Sequence, residues 1–164
     1  MRVIFSHGLK GSPDGFKITK LSEALTALGH EVVSVDYREL SIREWLIKLA
    51  EVAREGDVLV GSSAGGFVSA EIASRKGAAG LFLMAPALYK GNYPLDGCLP
   101  PINVPTEIVH GWHDDVIPFA NSLRYANKAA CSLHLVDDDH RLHRVVDHIA
   151  ALLVDFVQRI ERNA

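Results

Sequence analysis

The chain has 164 residues, of which 48% are hydrophobic and 23% are charged, and its net charge at pH 7 is -3. This size suits one hydrophobic core, so we expect residues 1–164 to form a single domain. Because the charge shows no basic excess, the composition argues against nucleic acid and anionic membrane surfaces as partners. The N-terminal residues lack a signal-peptide core and no long apolar run is present, which predicts a cytoplasmic location without a membrane span.

Short apolar, β-branched runs alternate with segments of helical period along the chain. The strands are predicted at residues 2–7, 31–37, 57–62, 79–85, 106–111 and 132–137. The helices are predicted at residues 17–28, 41–54, 63–76 and 118–129, and from residue 141 towards the C-terminus. The strands are nearly continuous apolar runs, as burial on both faces of a parallel sheet requires. The pattern therefore predicts an α/β fold with a doubly wound, mostly parallel sheet of about six strands, flanked by helices and with its site at the carboxyl ends of the strands.

The most informative motif lies between the third predicted strand and the helix that follows it. Gly61-Ser62-Ser63-Ala64-Gly65 matches G-x-S-x-G, in which small residues allow a tight turn that lifts the serine above the sheet. Ser63 is therefore a candidate nucleophile, and the Ala64 amide is a candidate donor to an oxyanion. Two alternatives are a serine that only caps the helix and a glycine-rich phosphate cradle. The cradle is disfavoured because neither G-x-G-x-x-G nor a Walker motif is present.

A serine nucleophile needs a base and an orienting acid, and candidates follow the fifth and sixth predicted strands. Asp114 and Asp115 come after the fifth strand, and His140 comes after the sixth. The resulting chain order of serine, aspartate and histidine is that of α/β hydrolases and differs from the chymotrypsin and subtilisin orders.

On these motifs the chain resembles the α/β-hydrolase superfamily over nearly its whole length, and in particular its small, lidless, bacterial esterase-like members. The stretch HGWHDDVIP, residues 110–118, is similar to the family element H-G-x-x-D-x-x-[VI]-P, whose aspartate is the triad acid. The resemblance therefore implies that Asp114 orients His140. Asp115 remains the alternative acid, because spacing alone does not separate two adjacent aspartates; otherwise it is a solvated carboxylate that caps the next helix.

The loop after the first predicted strand also resembles the family. His7-Gly8-Leu9 is similar to its H-G motif, which implies that the Leu9 amide joins the Ala64 amide in an oxyanion hole. The same resemblance implies that His7 is a structural residue that holds this loop by hydrogen bonds.

The resemblance implies a serine hydrolase, and specifically a carboxylesterase that acts on small ester or thioester substrates without a cofactor. Only about twenty residues separate the fourth and fifth predicted strands, which is too few for a helical cap domain. Apolar residues there are candidates for an acyl pocket, namely Leu88, Tyr89, Tyr93, Leu95 and Leu99. Trp112 is either a wall of the same cleft or a core residue.

One other interpretation competes with a hydrolase that acts on a small-molecule acyl substrate. The chain could be a non-catalytic or regulatory protein-binding module that retains the fold, and an exposed edge strand could pair two copies in a homo-oligomer. A catalytic metal held by the histidine and aspartate clusters around His113 and His140 is disfavoured, because no ligand motif is present and Ser63 would remain unexplained. Of the other histidines, His30 is expected to be exposed, and His143 and His148 are expected on the last helix.

Overall fold

The computed structural model describes residues 1–91, 93 and 103–164, which form six strands and five helices. In chain order these are β1 (Arg2–Ser6), α1 (Phe16–Thr26), β2 (Glu31–Val35), α2 (Ile42–Val52), β3 (Val58–Ser62), α3 (Ala64–Lys76), β4 (Gly80–Met84), β5 (Thr106–Gly111), α4 (Phe119–Ala129), β6 (Ser132–Val136) and α5 (Val146–Asn163). None of these helices is long and apolar enough to cross a membrane. In the described part of the segment between β4 and β5 the chain forms no helix, so no cap domain is present there.

The six strands form one sheet in the order β2-β1-β3-β4-β5-β6, and every neighbouring pair is parallel. From β1 the chain adds β2 on one side and then crosses to add β3 on the other. The strand order therefore reverses between β1 and β3, and in such sheets ligands bind in the crevice at this point. The predicted fold class is confirmed.

The helices cover both faces of the sheet because alternate strand residues point in opposite directions. Val58 and Val60 on β3 pack into a core with α1 and α5, whereas Leu59 packs into a second core with α2, α3 and α4. All three side chains are fully buried. The two-sided burial explains why the strands are continuously apolar.

The ends of two helices illustrate how the sequence sets the element boundaries. Helix α2 begins with a capping box, in which the Ser41 hydroxyl accepts from the Glu44 amide while the Glu44 carboxylate accepts from the Ser41 amide. Helix α5 begins at Val146, so the prediction of a helix from residue 141 was wrong. The segment before it is a loop in which Leu142 is fully buried at a φ of 56°, which a helix does not permit.

Two of the histidine assignments were also wrong. His143 lies in this loop and not on the last helix, although His148 does lie on α5. His30 is only 7% exposed, because its Nδ1 lies 3.1 Å from the N-terminal amino group of Met1, which also binds Glu161 on α5. The long-range contact with the C-terminal helix buries a residue that the local turn would expose.

We expect Leu59→Ala to lower the free energy of unfolding by about 2–5 kcal/mol, because it leaves a cavity between β3 and the helices on one face. The matched control is Leu28→Ala, at a side chain that is 50% exposed, and we expect it to change the free energy by no more than about 0.5 kcal/mol. Urea denaturation followed by circular dichroism measures both changes. Equal effects of the two substitutions would contradict the assigned packing.

Candidate active site

The turn from β3 into α3 holds Ser63 in a strained backbone conformation. Its φ is 54° and its ψ is -118°, a combination that residues with a side chain rarely adopt. The glycines on either side make this turn possible, since a Cβ on Gly61 would overlap the backbone of Gly65 and Gly66, and one on Gly65 would overlap the Ser6 carbonyl. Ser63 makes no side-chain cap to α3, which removes the simple capping alternative.

The loop after β1 lies directly beside Ser63, as expected where the strand order reverses. An added Cβ on Gly8 would lie 3.2 Å from the Ser63 Cβ, so a larger residue at this position would crowd the serine side chain. In the described part of the chain, neither the Leu9 amide nor the Ala64 amide donates to another residue. The two predicted oxyanion donors therefore lie next to the serine turn with their protons available.

The structure brings together the three side chains predicted as a triad. His140 Nε2 lies 3.0 Å from Ser63 Oγ, and His140 Nδ1 lies 2.7 Å from Asp114 Oδ2. Because an ionised carboxylate only accepts, Nδ1 carries the proton and Nε2 presents its lone pair to the serine hydroxyl. These three residues come from the ends of β3, β5 and β6, so the sheet itself holds the arrangement.

The Asp114 side chain is fully buried, and both of its oxygens have close donors. Oδ1 accepts from the amides of Val116 and Ile117, Oδ2 accepts from His140 at 2.7 Å, and His110 Nε2 lies 3.0 Å from Oδ2. Burial by itself raises the pKa of the Asp114 carboxyl, but the donors from His110, His140 and the two amides outweigh it and hold the pKa well below its usual range. The carboxylate therefore stays ionised while it is buried.

The neighbouring Asp115 is placed differently. Its side chain is exposed and lines the wall of the cleft, and it forms none of the hydrogen bonds to His140 described above. Helix α4 begins after Pro118 without a side-chain cap, so Asp115 does not cap it either. Of the two candidate acids, the geometry therefore favours Asp114.

His110, near the end of β5, contacts Asp114, and no role for it was predicted from the sequence. Its Nε2 lies 3.0 Å from both the Ile117 carbonyl and Asp114 Oδ2, so this nitrogen carries the proton. In the neutral ring, Nδ1 then accepts from the Ser122 hydroxyl at 2.7 Å. The side chain is fully buried, and its sequence signal was its place as the first residue of the H-G-x-x-D-x-x-[VI]-P element.

The loop that carries His140 is fixed by two buried charged residues. The Asp138 carboxylate accepts from the amides of Asp139, Arg144 and Val145, which determines the path of residues 138–145. Lys17, near the start of α1, donates from Nζ to the Arg141 carbonyl at 3.0 Å. Neither contact was predicted, and the one made by Lys17 joins positions that are 124 residues apart.

His7 holds the loop after β1, as the resemblance implied. Its Nε2 accepts from the Tyr37 amide at 3.0 Å, so the proton is on Nδ1, which donates to the Gly8 carbonyl at 2.8 Å. The ring is buried edge-on against Tyr37 and Trp45. His7 therefore anchors Gly8 and Leu9 beside Ser63 and is turned away from the base position.

An open cleft of about 990 Å³ surrounds Ser63 and His140. Of the candidates for an acyl pocket, Tyr93 lines this cleft, Leu88 is buried in the core, and Leu95 and Leu99 lie outside the described residues. Two other aromatic side chains lie elsewhere: Tyr89 packs beneath the guanidinium of Arg124, at 4.1 Å, and Trp112 is 50% exposed and packs edge-on against Phe119. Trp112 is therefore neither a core residue nor part of the described cleft wall.

Among the residues that the structure describes, no group of three or more histidine, cysteine or carboxylate side chains is arranged to hold a metal ion. His113 and Asp137, which belong to the two clusters noted in the sequence, pair with each other at 2.9 Å on the surface.

Comparisons with known proteins agree with the fold. No protein-family model and no curated protein matches the chain. Among solved structures, it is similar to a protein from Xanthomonas campestris pv. campestris that is assigned to the alpha/beta superfamily of hydrolases, with 32% identity, 96% of this chain and 98% of that one covered, and a TM-score of 0.86.

Two more distant structures share the fold. Mouse alpha/beta hydrolase domain-containing protein 10 is 19% identical, with 97% of this chain and 90% of that one covered and a TM-score of 0.81. Est1E from Butyrivibrio proteoclasticus, whose structure is also known with ferulic acid bound, is 17% identical, with 98% and 88% covered and a TM-score of 0.81. Because the Xanthomonas protein matches at 32% identity over nearly the whole length of both chains, this chain belongs to the α/β-hydrolase superfamily.

Proposed function

We propose that this chain is a serine hydrolase, and specifically a carboxylesterase that cleaves small ester or thioester substrates through an acyl-enzyme. The observation that carries the proposal is the continuous hydrogen-bonded path from Ser63 through His140 to the buried Asp114, at the floor of an open cleft. A protein that only binds a partner does not need a strained serine aligned with a base.

In the proposed mechanism His140 acts first as a base and then as an acid. Its Nε2 accepts the Ser63 proton as Oγ attacks the carbonyl carbon, and the buried carboxylate of Asp114 stabilises the imidazolium that forms. The imidazolium then donates its proton to the leaving alcohol or thiol. A water molecule repeats the cycle on the acyl-enzyme and releases the acid, so no cofactor is required.

The oxyanion formed by each attack needs donors that are already in place. The amides of Ala64 and Leu9 lie beside Ser63, and their protons are free of other described acceptors. The Ala64 amide also stands at the N-terminus of α3, where the helix dipole favours negative charge.

The proposed substrate class follows from the shape of the cleft and from the relatives. The cleft is open, and the described part of the segment between β4 and β5 contributes no covering helix, which suits small or extended acyl groups. One structural relative is named an esterase from Pyrococcus furiosus, which agrees with an ester as the scissile group.

We expect a fluorophosphonate probe to add a single adduct to the wild-type protein, and no adduct to the Ser63→Ala variant, by intact-mass measurement. Only an activated serine reacts with such a probe at an appreciable rate. The control is Ser62→Ala, at the neighbouring serine that lines the cleft without a hydrogen bond to His140, and this variant should still be labelled. Absence of labelling on the wild type would make the protein-binding alternative the leading explanation.

We expect Asp114→Asn to lower kcat for short p-nitrophenyl esters by about 10³–10⁴-fold, because the amide no longer holds the His140 tautomer or stabilises its cation. The matched substitution Asp115→Asn should cost less than about 10-fold, since that side chain is exposed and forms no bond to His140. Steady-state kinetics of both variants, with circular dichroism to verify folding, provide the comparison. The reverse ranking would transfer the acid role to Asp115.

A further inference from the structure

A buried lysine lines the cleft beside the serine and histidine, and the proposed acyl-transfer mechanism does not use it. Lys17 is only 9% exposed, although it lies near the start of α1 on the wall of the open cleft. Its ammonium has three protons to donate, and among the described residues the only hydrogen-bond acceptor recorded for it is the Arg141 carbonyl. Capacity for a further acceptor therefore remains at Nζ.

The residues that line the cleft include more cations than carboxylates, although the chain as a whole is negative. The described lining contains four cationic side chains and two carboxylates, namely Lys10, Lys17, Lys90 and Arg141 against Asp115 and Asp139. The whole chain has 17 lysines and arginines against 20 acidic residues. A cleft whose charge is opposite to that of the molecule raises the local concentration of small anions.

Burial has the largest effect on the charge of Lys17. Burial lowers the pKa of Lys17 to about 8, while Asp138, Asp114 and Asp139 act in the opposite direction without restoring it. Asp138 and Asp114 are themselves engaged by other donors. A ligand carboxylate that reached Nζ would accept a charge-assisted hydrogen bond from a side chain that is itself largely buried.

We propose that the substrates of this site are esters or thioesters that carry an additional anionic group, such as a carboxylate, which Lys17 binds. This proposal rests on the proposed function, because it names the substrate class of the same serine site. Lys17 then sets specificity, while Lys10, Lys90 and Arg141 at the rim attract the anion.

The experiment compares esters that differ only in the anionic group. On the acyl side the pair is p-nitrophenyl hexanoate and mono-p-nitrophenyl adipate, and on the alcohol side it is phenyl acetate and 4-carboxyphenyl acetate. At pH 7 we expect kcat/KM to be about 10-fold or more higher for the ionised member of at least one pair, as a charge-assisted hydrogen bond provides. The preference should shrink as salt is added, because salt screens the attraction.

Three variants test whether Lys17 is the source of this preference. Lys17→Met should lower kcat/KM for the ionised ester at least about 10-fold more than for its neutral partner, mainly through KM. Lys20→Met removes the same charge from an exposed position on the same helix, and the preference should remain. Lys17→Arg keeps the positive charge and a donor, so it should retain most of the preference.

The pH dependence separates binding by Lys17 from a purely structural role. The ammonium is charged below a pH of about 8 and neutral above it, so the wild-type preference should decline as pH rises from 7 to 9. The carboxylates that act on Lys17 are those of Asp138, Asp114 and Asp139. The pKa values of Asp138 and Asp114 are held below the usual aspartate range by their hydrogen bonds, so these two groups stay ionised throughout this range and cannot produce the decline. In Lys17→Arg the preference should persist at pH 9, because a guanidinium stays charged.

The outcomes distinguish this proposal from the one on which it rests. Two results would overturn the proposed substrate class but not the serine hydrolase. One is turnover without a preference for the ionised ester in either pair. The other is an equal loss of kcat/KM for both esters in Lys17→Met. Absence of turnover for all four esters, together with absence of probe labelling at Ser63, overturns both. A preference that is lost in Lys17→Met and kept in Lys20→Met supports the proposal.

Discussion

The site depends on how closely the start of α3 approaches the end of β1. Gly65 lies against the Ser6 carbonyl so tightly that no side chain fits there, and Ser63, two residues earlier, has a φ of 54°. The same contact brings the loop containing Gly8 against the serine. The strain at one residue is therefore sustained by backbone packing on both sides, and it presents the hydroxyl and the neighbouring amides to the same point above the sheet.

A second constraint fixes Asp114 relative to His140. Strands β5 and β6 remain joined beyond their ends, because the Trp112 amide donates to the Val136 carbonyl and the His113 amide donates to the Asp138 carbonyl. Gly111 allows this, since a Cβ there would overlap the Asp138 carbonyl. Backbone hydrogen bonds therefore join the loop that carries Asp114 to the loop that carries His140.

The sequence predicted what local patterns determine and missed what tertiary contacts determine. Continuous apolar runs and the turn around Ser63 were sufficient for the fold class, because burial on both sheet faces and a tight turn leave signatures in adjacent residues. The role of Lys17 left no such signature, since its contact with the Arg141 carbonyl joins positions 124 residues apart. The contact of His110 with Asp114 depends on the turn that follows β5. The start of the last helix was misplaced because the loop before it has a helical composition, and the carboxylate of Asp138 holds it open.

The openness of the cleft bears on how such a site selects its substrate. A cap domain would enclose the acyl group and discriminate between substrates by shape. A cleft exposed to water offers little apolar enclosure. Each extra methylene of a substrate contributes only about 0.8 kcal/mol to the binding free energy even when it is fully buried. Water and salt screen a buried charge less than a charge at the rim of the cleft. Its attraction for an opposite charge on a ligand therefore stays strong, although the rest of the cleft is exposed to water. Lys17 is the cation in the cleft lining that meets this condition among the residues described, since Lys10 and Arg141 are exposed and Lys90 is half-buried. Because Lys17 also holds the Arg141 carbonyl next to His140, an anion at its ammonium would be recognised at the loop that carries the base.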